Sequence, residues 1–313
     1  MNKPNFFIVG AAKAGTTSLH YYLSKHPDVY VSPIKEPNYF CKDICVDGFN
    51  PYMKRKFSNG GVLFDKSNNV ISKHQAYISD EKTYLKLFAN TNNQKMLGEA
   101  SVSYLYSEVA AAEIYKFSPT AKIIIVLREP VDRAFSQYLA NRRVGSVFGN
   151  NFLDIVVSDY NKTIKGWGNT HLYIELGQYY KQIRRFYDVF EKENILLLKY
   201  DDLSLDTIAS VNRICSFLNV EEDVIHINNI RRNSAKVPIN RLVAQLNKQS
   251  ILKNTFRNII PGSIINYLKK RSFSDKKLPT LKPFEKEALS IYFSKDIKDL
   301  QYLTKLSFDD WYA

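Results

Sequence analysis

The sequence predicts an α/β fold: a three-layer sandwich around a central parallel sheet of about five strands, opened by a P-loop-like turn and closed by a helical C-terminal part. Three observations predict it. Short, wholly apolar runs alternate with stretches of helical periodicity, the pattern of strands covered by helices on both faces. The first run ends in a glycine-bearing loop that leads into a helix, GAAKAGTTSL at residues 10–19. The chain has 313 residues, 45% of them hydrophobic, enough to bury a substantial core. No repeat or Pro/Gly-rich linker divides it, so residues 1–313 are expected to form one domain.

The strands follow from apolar runs too short for helices: FFIVG (6–10), DVYVS (28–32), KMLGEA (95–100), KIIIVL (122–127) and NILLLKY (194–200). Between them, apolar residues spaced three or four apart predict helices near 16–25, 80–89, 106–117, 130–142, 174–191 and 204–218. From about 238 onward the chain reads as helical. A Lys- and Pro-rich loop, SFSDKKLPTLKP (272–283), precedes a last amphipathic helix at about 284–303. In such a sheet, ligands bind beyond the carboxyl ends of the strands.

The net charge is +13 and is concentrated in one place. Residues 231–282 carry thirteen Lys and Arg against the single acidic Asp275. A field of that kind favours an anionic partner, although a lysine-rich solvated surface gives the same count. Within it, NTFRNIIPGSIINYLKKRSF (254–273) is a basic amphipathic stretch that suits peripheral contact with an anionic bilayer, a lid over an acidic ligand, or ordinary packing. Cys41, Cys45 and Cys215 lack the second pair or clustered histidines of a zinc site and read as free thiols. Neither a secretory pattern nor a run of about 18 apolar residues is present, which leads to the expectation of a cytoplasmic protein, with the inner membrane surface as its one membrane contact.

Two motifs carry chemistry. In FFIVGAAKAGTTSL, the lysine of an ATP or GTP loop would follow Gly15; Thr16 stands there instead, and the only lysine is Lys13. Gly10 and Gly15 give backbone freedom, and a helix starting near Thr16 would present N–H groups and the Thr16 and Thr17 hydroxyls to an anion. In KIIIVLREPVDRAFSQY (122–138), a buried strand delivers Arg128 at its tip, Pro130 begins a helix, and Ser136 lies two turns in. Arg128 supplies a planar fork for a phosphate and Ser136 a hydroxyl donor. Taken alone, each motif also fits a bland reading: a glycine turn into a buried helix, or a salt-bridging strand-end arginine.

Together, in this order and spacing, the two resemble the sulfotransferases that use 3′-phosphoadenosine 5′-phosphosulfate (PAPS). GAAKAGTTSL is similar to the family's 5′-phosphosulfate loop, and LREPVDRAFSQY to its 3′-phosphate element. PIKEPNYF (33–40), GEASVSYLY (98–106), NILLLKYDDL (194–203) and the closing pattern ending in Trp311 resemble the heparan-sulfate-type, carbohydrate-directed branch. The resemblance implies transfer of a sulfuryl group from PAPS, leaving adenosine 3′,5′-bisphosphate, with no metal required. It assigns Lys13 to the leaving group; Lys13, Ala14, Gly15, Thr16, Thr17 and Ser18 to the 5′ side of the donor; Arg128 and Ser136 to the 3′-phosphate; and Glu36 to the general base. Lys35, Glu99, Ser101 and Tyr179 fall on the acceptor side, with Gly177 and Tyr179, in LGQYYKQI, near the cleft, although aromatic residues at that spacing are more often core. His20 and His26 read as packing or solvent-facing residues.

The chain departs from the branch in two places. Ala100 follows Glu99 where the heparan-type enzymes often have lysine, and the glycine-rich basic loop over the nucleotide has no clean copy; Lys276, Lys277 and Lys282 are its candidate substitutes. The acceptor implied is a carbohydrate hydroxyl, with an amine as the alternative, on an acidic or lipid-linked glycan, and no nucleic acid. The abundance of Lys, Asn and Ile suggests a bacterial source. Two rival readings remain: a P-loop kinase or NTPase using Asp201 and Asp202 for magnesium, and a non-enzymatic polyanion or membrane-surface binder.

Overall fold

The computed structural model describes residues 2–57, 63–65, 70–71, 75–149, 151–225, 237–238, 273–274 and 279–312. A five-stranded sheet forms its centre, made of β1 (Phe6–Gly10), β2 (Val29–Val31), β5 (Met96–Ala100), β6 (Lys122–Leu127) and β7 (Ile195–Lys199). The strand order is β2-β5-β1-β6-β7, and every pairing is parallel. Two small antiparallel pairs lie apart from it, β3 (Leu63–Phe64) with β4 (Val70–Ile71), and β8 (Val237–Pro238) with β9 (Phe273–Ser274).

The sequence dictates this sheet through burial on both faces. All five residues of FFIVG are buried, as are Ile123 to Leu127 in β6. Side chains alternate sides along a strand, so such runs need covering layers above and below. Each fully buried aliphatic side chain contributes about 1.5–3 kcal/mol, which makes β1 and β6 the strands that anchor the fold. Gly98 in β5 has a packing reason: a Cβ there would come within 2.4 Å of the Phe6 ring on the neighbouring strand.

Helices fill the connections: α1 (Thr16–Leu23), α2 (Pro51–Phe57), α3 (Glu81–Lys86), α4 (Ser103–Tyr106), α5 (Ala110–Phe117), α6 (Pro130–Arg143), α7 (Phe152–Tyr160), α8 (Tyr179–Tyr187), α9 (Tyr200–Leu205) and α10 (Thr207–Phe217). The C-terminal part supplies α11 (Pro283–Ser290) and α12 (Ser294–Thr304). Several boundaries differ from the sequence expectation. The single helix expected at 284–303 is two, because Phe293 turns inward and is buried at the break. The helix expected from 174 is a 3-10 turn at Glu175–Gly177 and becomes an α-helix only at Tyr179, whose N–H and that of Tyr180 are capped by the Asp296 carboxylate of α12, at 2.6 and 3.1 Å. Tyr200 opens α9 rather than closing β7, and α2 and α7 carry no expectation from the sequence. Most of the basic segment 231–282, including 254–272, lies outside the described residues. No helix among the described residues is long and apolar enough to cross a membrane.

One polar residue sits in the core of the sheet. Glu99, on β5, is fully buried, and its carboxylate accepts from Tyr84 Oη at 3.2 Å, Ser101 Oγ at 2.7 Å and the Tyr104 hydroxyl. Burial pushes its pKa up to about 7, against the opposing pull of these hydroxyl donors and of Lys35. The folded chain therefore holds a proton that an unfolded chain, with a carboxyl near the usual value of about 4.3, has already lost. The resulting stabilisation is complete below that lower value and disappears as pH rises through about 7. Glu99→Gln is neutral throughout. Thermal melts at pH 5 and pH 8 should show the variant gaining on the wild type as pH rises, by on the order of 3 kcal/mol at most. A stability difference that does not move with pH contradicts this account.

Candidate functional site

The strand order reverses at β1, with β5 on one side and β6 on the other. Loops following these three strands meet beyond their carboxyl ends, the place where open α/β sheets bind ligands. A cleft of about 1310 Å³ opens there. Its wall includes Lys13, Gly15, Thr16, Thr17 and Ser18 from the first loop, Lys35 and Glu36 from the loop after β2, and Arg128 and Ser136 from the end of β6 and from α6.

The first loop is shaped by left-handed backbone at Lys13 (φ 70°) and Gly15 (φ 82°). Gly15 has a second constraint, since a Cβ there would lie 3.1 Å from the Tyr200 ring and 3.3 Å from Leu203. Ala14, expected among the donor-binding residues, turns its side chain into the core, so it offers a ligand only its main chain. Gly15 is the N-cap of α1, and no side chain caps that helix. Its first turn thus presents backbone N–H groups and the positive end of the helix dipole to the cleft.

Arg128 is held on three sides. Its Nη1 donates to the Lys13 carbonyl at 3.3 Å, its guanidinium lies 4.6 Å from the Tyr200 ring centroid, and its own carbonyl accepts from Tyr179 Oη at 2.8 Å. The helix that follows is started firmly: Pro130 occupies its first turn, and the Glu129 carboxylate accepts from Val131 N at 3.1 Å and Asp132 N at 2.6 Å. This sets the face of α6 from which Ser136 reaches the cleft. Arg133, also on α6, is fully buried and donates to the Tyr173 carbonyl. Cations therefore crowd this side of the sheet. Burial lowers the Lys13 pKa, the charges of Arg128, Arg143 and Arg133 lower it further, and Glu36 opposes them. An anion bound here would relieve that repulsion, which is the physical test that a phosphate-bearing ligand fits these residues.

Glu36 stands across the cleft. Its carboxylate pairs with Lys35 Nζ at 2.8 Å, and both side chains are largely sheltered. The backbone beneath is pinned by Ala76 N, which donates to the Glu36 carbonyl at 2.8 Å, and by Asn38 Nδ2, which donates to the same carbonyl at 3.0 Å. Asn38 is buried in left-handed conformation and its N–H donates to Ser101 Oγ at 3.1 Å. Ser101 in turn donates to Glu99.

Of the acceptor-side candidates, Glu99, Ser101 and Tyr179 lie outside the cleft wall: all three are wholly buried, with their polar atoms engaged with Glu36's supporting loop or with the Arg128 carbonyl. Gly177 is likewise buried, against Phe293 and Pro130. Lys35, by contrast, lines the cleft. Lys276 and Lys277 lie outside the described residues, while Lys282 is the N-cap of α11 with its ammonium 5.5 Å from the Phe284 ring, not in the cleft wall. His20 Nε2 lies 3.1 Å from the Ser32 carbonyl and His26 Nε2 2.9 Å from that of Glu221, both in packing positions. Asp201 and Asp202 fall in the first turn of α9, and neither is in the described cleft wall. No group of three His, Cys, Asp or Glu side chains among the described residues could hold a metal ion.

Sequence reasoning missed several lining residues. Tyr200, Ser204 and Thr207 come from the turn after β7 and the helices that follow, and Trp167 to Leu172 form a loop that closes the far side. The one signal for the latter was the tripeptide GWG at 166–168, a large aromatic between two glycines.

Comparison with known proteins agrees with this geometry. Residues 4–223 match the family model described as the sulfotransferase family. Over 253 residues the chain is 27% identical to carbohydrate sulfotransferase 15 of Rattus norvegicus, covering 69% of this chain and 44% of that protein. Over 221 residues it is 27% identical to the bifunctional heparan sulfate N-deacetylase/N-sulfotransferase 2 of Homo sapiens, covering 69% of this chain and 22% of that protein. It thus spans less than half the length of these curated relatives. Among solved structures, a sulfotransferase from Alicyclobacillus acidocaldarius superposes with a TM-score of 0.70 at 26% identity, covering 100% of both chains. With the family model matching well over half of its length, this chain belongs to the sulfotransferase family.

Proposed function

We propose that the protein transfers a sulfuryl group from PAPS to a hydroxyl of a carbohydrate acceptor. The observation that carries this reading is the convergence in one cleft of an uncapped helix start, Lys13, Arg128 and Ser136 on one side and the sheltered Glu36–Lys35 pair on the other. The donor supplies an activated sulfuryl group, joined through a bridging oxygen to its 5′-phosphate. The first turn of α1, with the Thr16, Thr17 and Ser18 hydroxyls, holds that 5′ end. Arg128 and Ser136 hold the 3′-phosphate, the group that separates this donor from ATP.

Glu36 accepts the proton of the acceptor hydroxyl as its oxygen bonds to sulfur. On the opposite side, the bond from sulfur to the bridging oxygen breaks, and the electron pair stays on the departing phosphate. Lys13 neutralises the charge that gathers there, an interaction stronger in the transition state than in the ground state. Lys35, 2.8 Å from Glu36 Oε1, fixes the direction in which that carboxylate faces. The similarity to carbohydrate and heparan sulfate sulfotransferases supports a glycan as acceptor.

Transfer of radiolabelled sulfate from PAPS to a panel of glycans, lipids and phenols tests the activity directly. Glu36→Gln should lower kcat on the order of a hundredfold or more while leaving affinity for adenosine 3′,5′-bisphosphate unchanged; full turnover in that variant would remove Glu36 from the role of base. Calorimetry should show the wild type preferring adenosine 3′,5′-bisphosphate to ATP by at least about tenfold, or 1.4 kcal/mol. Arg128→Ala should erase most of that preference, and equal binding of both nucleotides by the wild type would contradict the donor assignment.

A further inference from the structure

A second cleft, about 1000 Å³ in volume, lies beside the first. Trp167 and Asn169 belong to the walls of both, so the two spaces adjoin. Their chemistry differs. In the first cleft the described Lys and Arg residues outnumber the carboxylates, with Glu36 alone opposing Lys13, Lys35 and Arg128. In the second, five carboxylates face three cations.

Part of that acidity is already engaged. Asp296 caps α8, and Asp299 pairs with Lys295 at 2.7 Å. The Arg185 cation is turned toward the Leu105 and Tyr106 carbonyls, at 3.0 and 2.9 Å. Glu175 is different. Both of its carboxylate oxygens are buried; Oε1 pairs with the Lys165 ammonium at 3.3 Å, and Oε2 accepts no hydrogen bond from the described residues. A buried acceptor left unsatisfied, as Oε2 is, carries a desolvation cost that a donor from a ligand would remove. The cleft also has aromatic walls: the Trp167 and Tyr106 rings lie 5.8 Å apart at 32°, both half-buried, and Tyr180 and Tyr292 line it as well.

Aromatic faces match the C–H faces of sugar rings, and carboxylates accept from sugar hydroxyls. A surplus of carboxylates disfavours a ligand bearing carboxylates or sulfates of its own. We propose that this second cleft is the acceptor subsite and that it takes an uncharged oligosaccharide, whose rings pack on Trp167 and Tyr106 and whose hydroxyls donate to Glu175. The sugar beyond Trp167 then extends into the first cleft, toward Glu36. The assignment rests on reading the first cleft as the sulfuryl-donor site, and it replaces the expectation of an acidic glycan with a neutral one.

The chain has two tryptophans, and Trp311 is 2% exposed, so a ligand-induced change of emission reports on Trp167. The full-length protein is titrated with an uncharged chitin tetrasaccharide and with an anionic hyaluronan tetrasaccharide, with and without saturating adenosine 3′,5′-bisphosphate. The chitin tetrasaccharide should change the emission, bind at least about tenfold more tightly than the hyaluronan tetrasaccharide, and remain bound when the nucleotide is present. Glu108→Lys, an exposed change in the same wall, should narrow that preference without altering nucleotide affinity. Calorimetry on Trp167→Phe should show at least about fivefold weaker binding of the chitin tetrasaccharide. Equal or tighter binding of hyaluronan, displacement of the saccharide by the nucleotide, or nucleotide binding with no saccharide binding would each overturn the proposal. Saccharide binding with the expected preference, in a protein that fails to bind the nucleotide, would support the subsite while overturning the donor reading.

Discussion

Repulsion among cations at one end of the sheet is the constraint on which this structure turns. Lys13, Arg128 and Arg133 are placed together by three separate elements: the turn after β1, the tip of β6 and the first turn of α6. A fold that only had to be stable would separate them. Here the charges are held in place by a main-chain carbonyl, an aromatic face and burial, none of which cancels their charge. At Lys13 the Glu36 carboxylate opposes them. Such an arrangement leaves room for compensation by a bound anion, which is the basis of the donor reading we propose.

The rigidity of the site follows from the depth at which its supports are buried. Glu36 sits on a loop, yet the loop is tied to the centre of the sheet through Asn38, Ser101 and Glu99. The role of base that we propose for Glu36 needs such backing, because a displacement of about 1 Å can cost about a hundredfold in rate. The buried polar chain beneath it is costly to fold around, and that cost is concentrated at the strand end from which the loop is braced.

Much of this architecture was legible in the sequence. The apolar runs located the five central strands to within a residue or two, because strands buried on both faces leave almost no freedom of composition. The two phosphate-directed motifs were legible because their residues are close in sequence. What escaped depends on contacts made far along the chain. The start of α8 is set by Asp296, more than a hundred residues away, so local periodicity extended the helix too far. Glu99 and Ser101 look like surface polar residues in the string GEASVS, and only the three-dimensional packing of Tyr84 and Tyr104 around them shows otherwise. The Trp167 loop has no periodicity to read, and its role depends on the two clefts it divides.

The cap that Asp296 places on α8 has a reach beyond that helix. It fixes Tyr179, and Tyr179 Oη holds the carbonyl of Arg128. A carboxylate near the end of the chain is thereby linked, in two hydrogen bonds, to the main chain of Arg128. Through Asp296, α12 thus acts as a brace beneath the strand end that carries Arg128, so a change in that last helix would be felt at the cleft as well as in the packing of the C-terminal part.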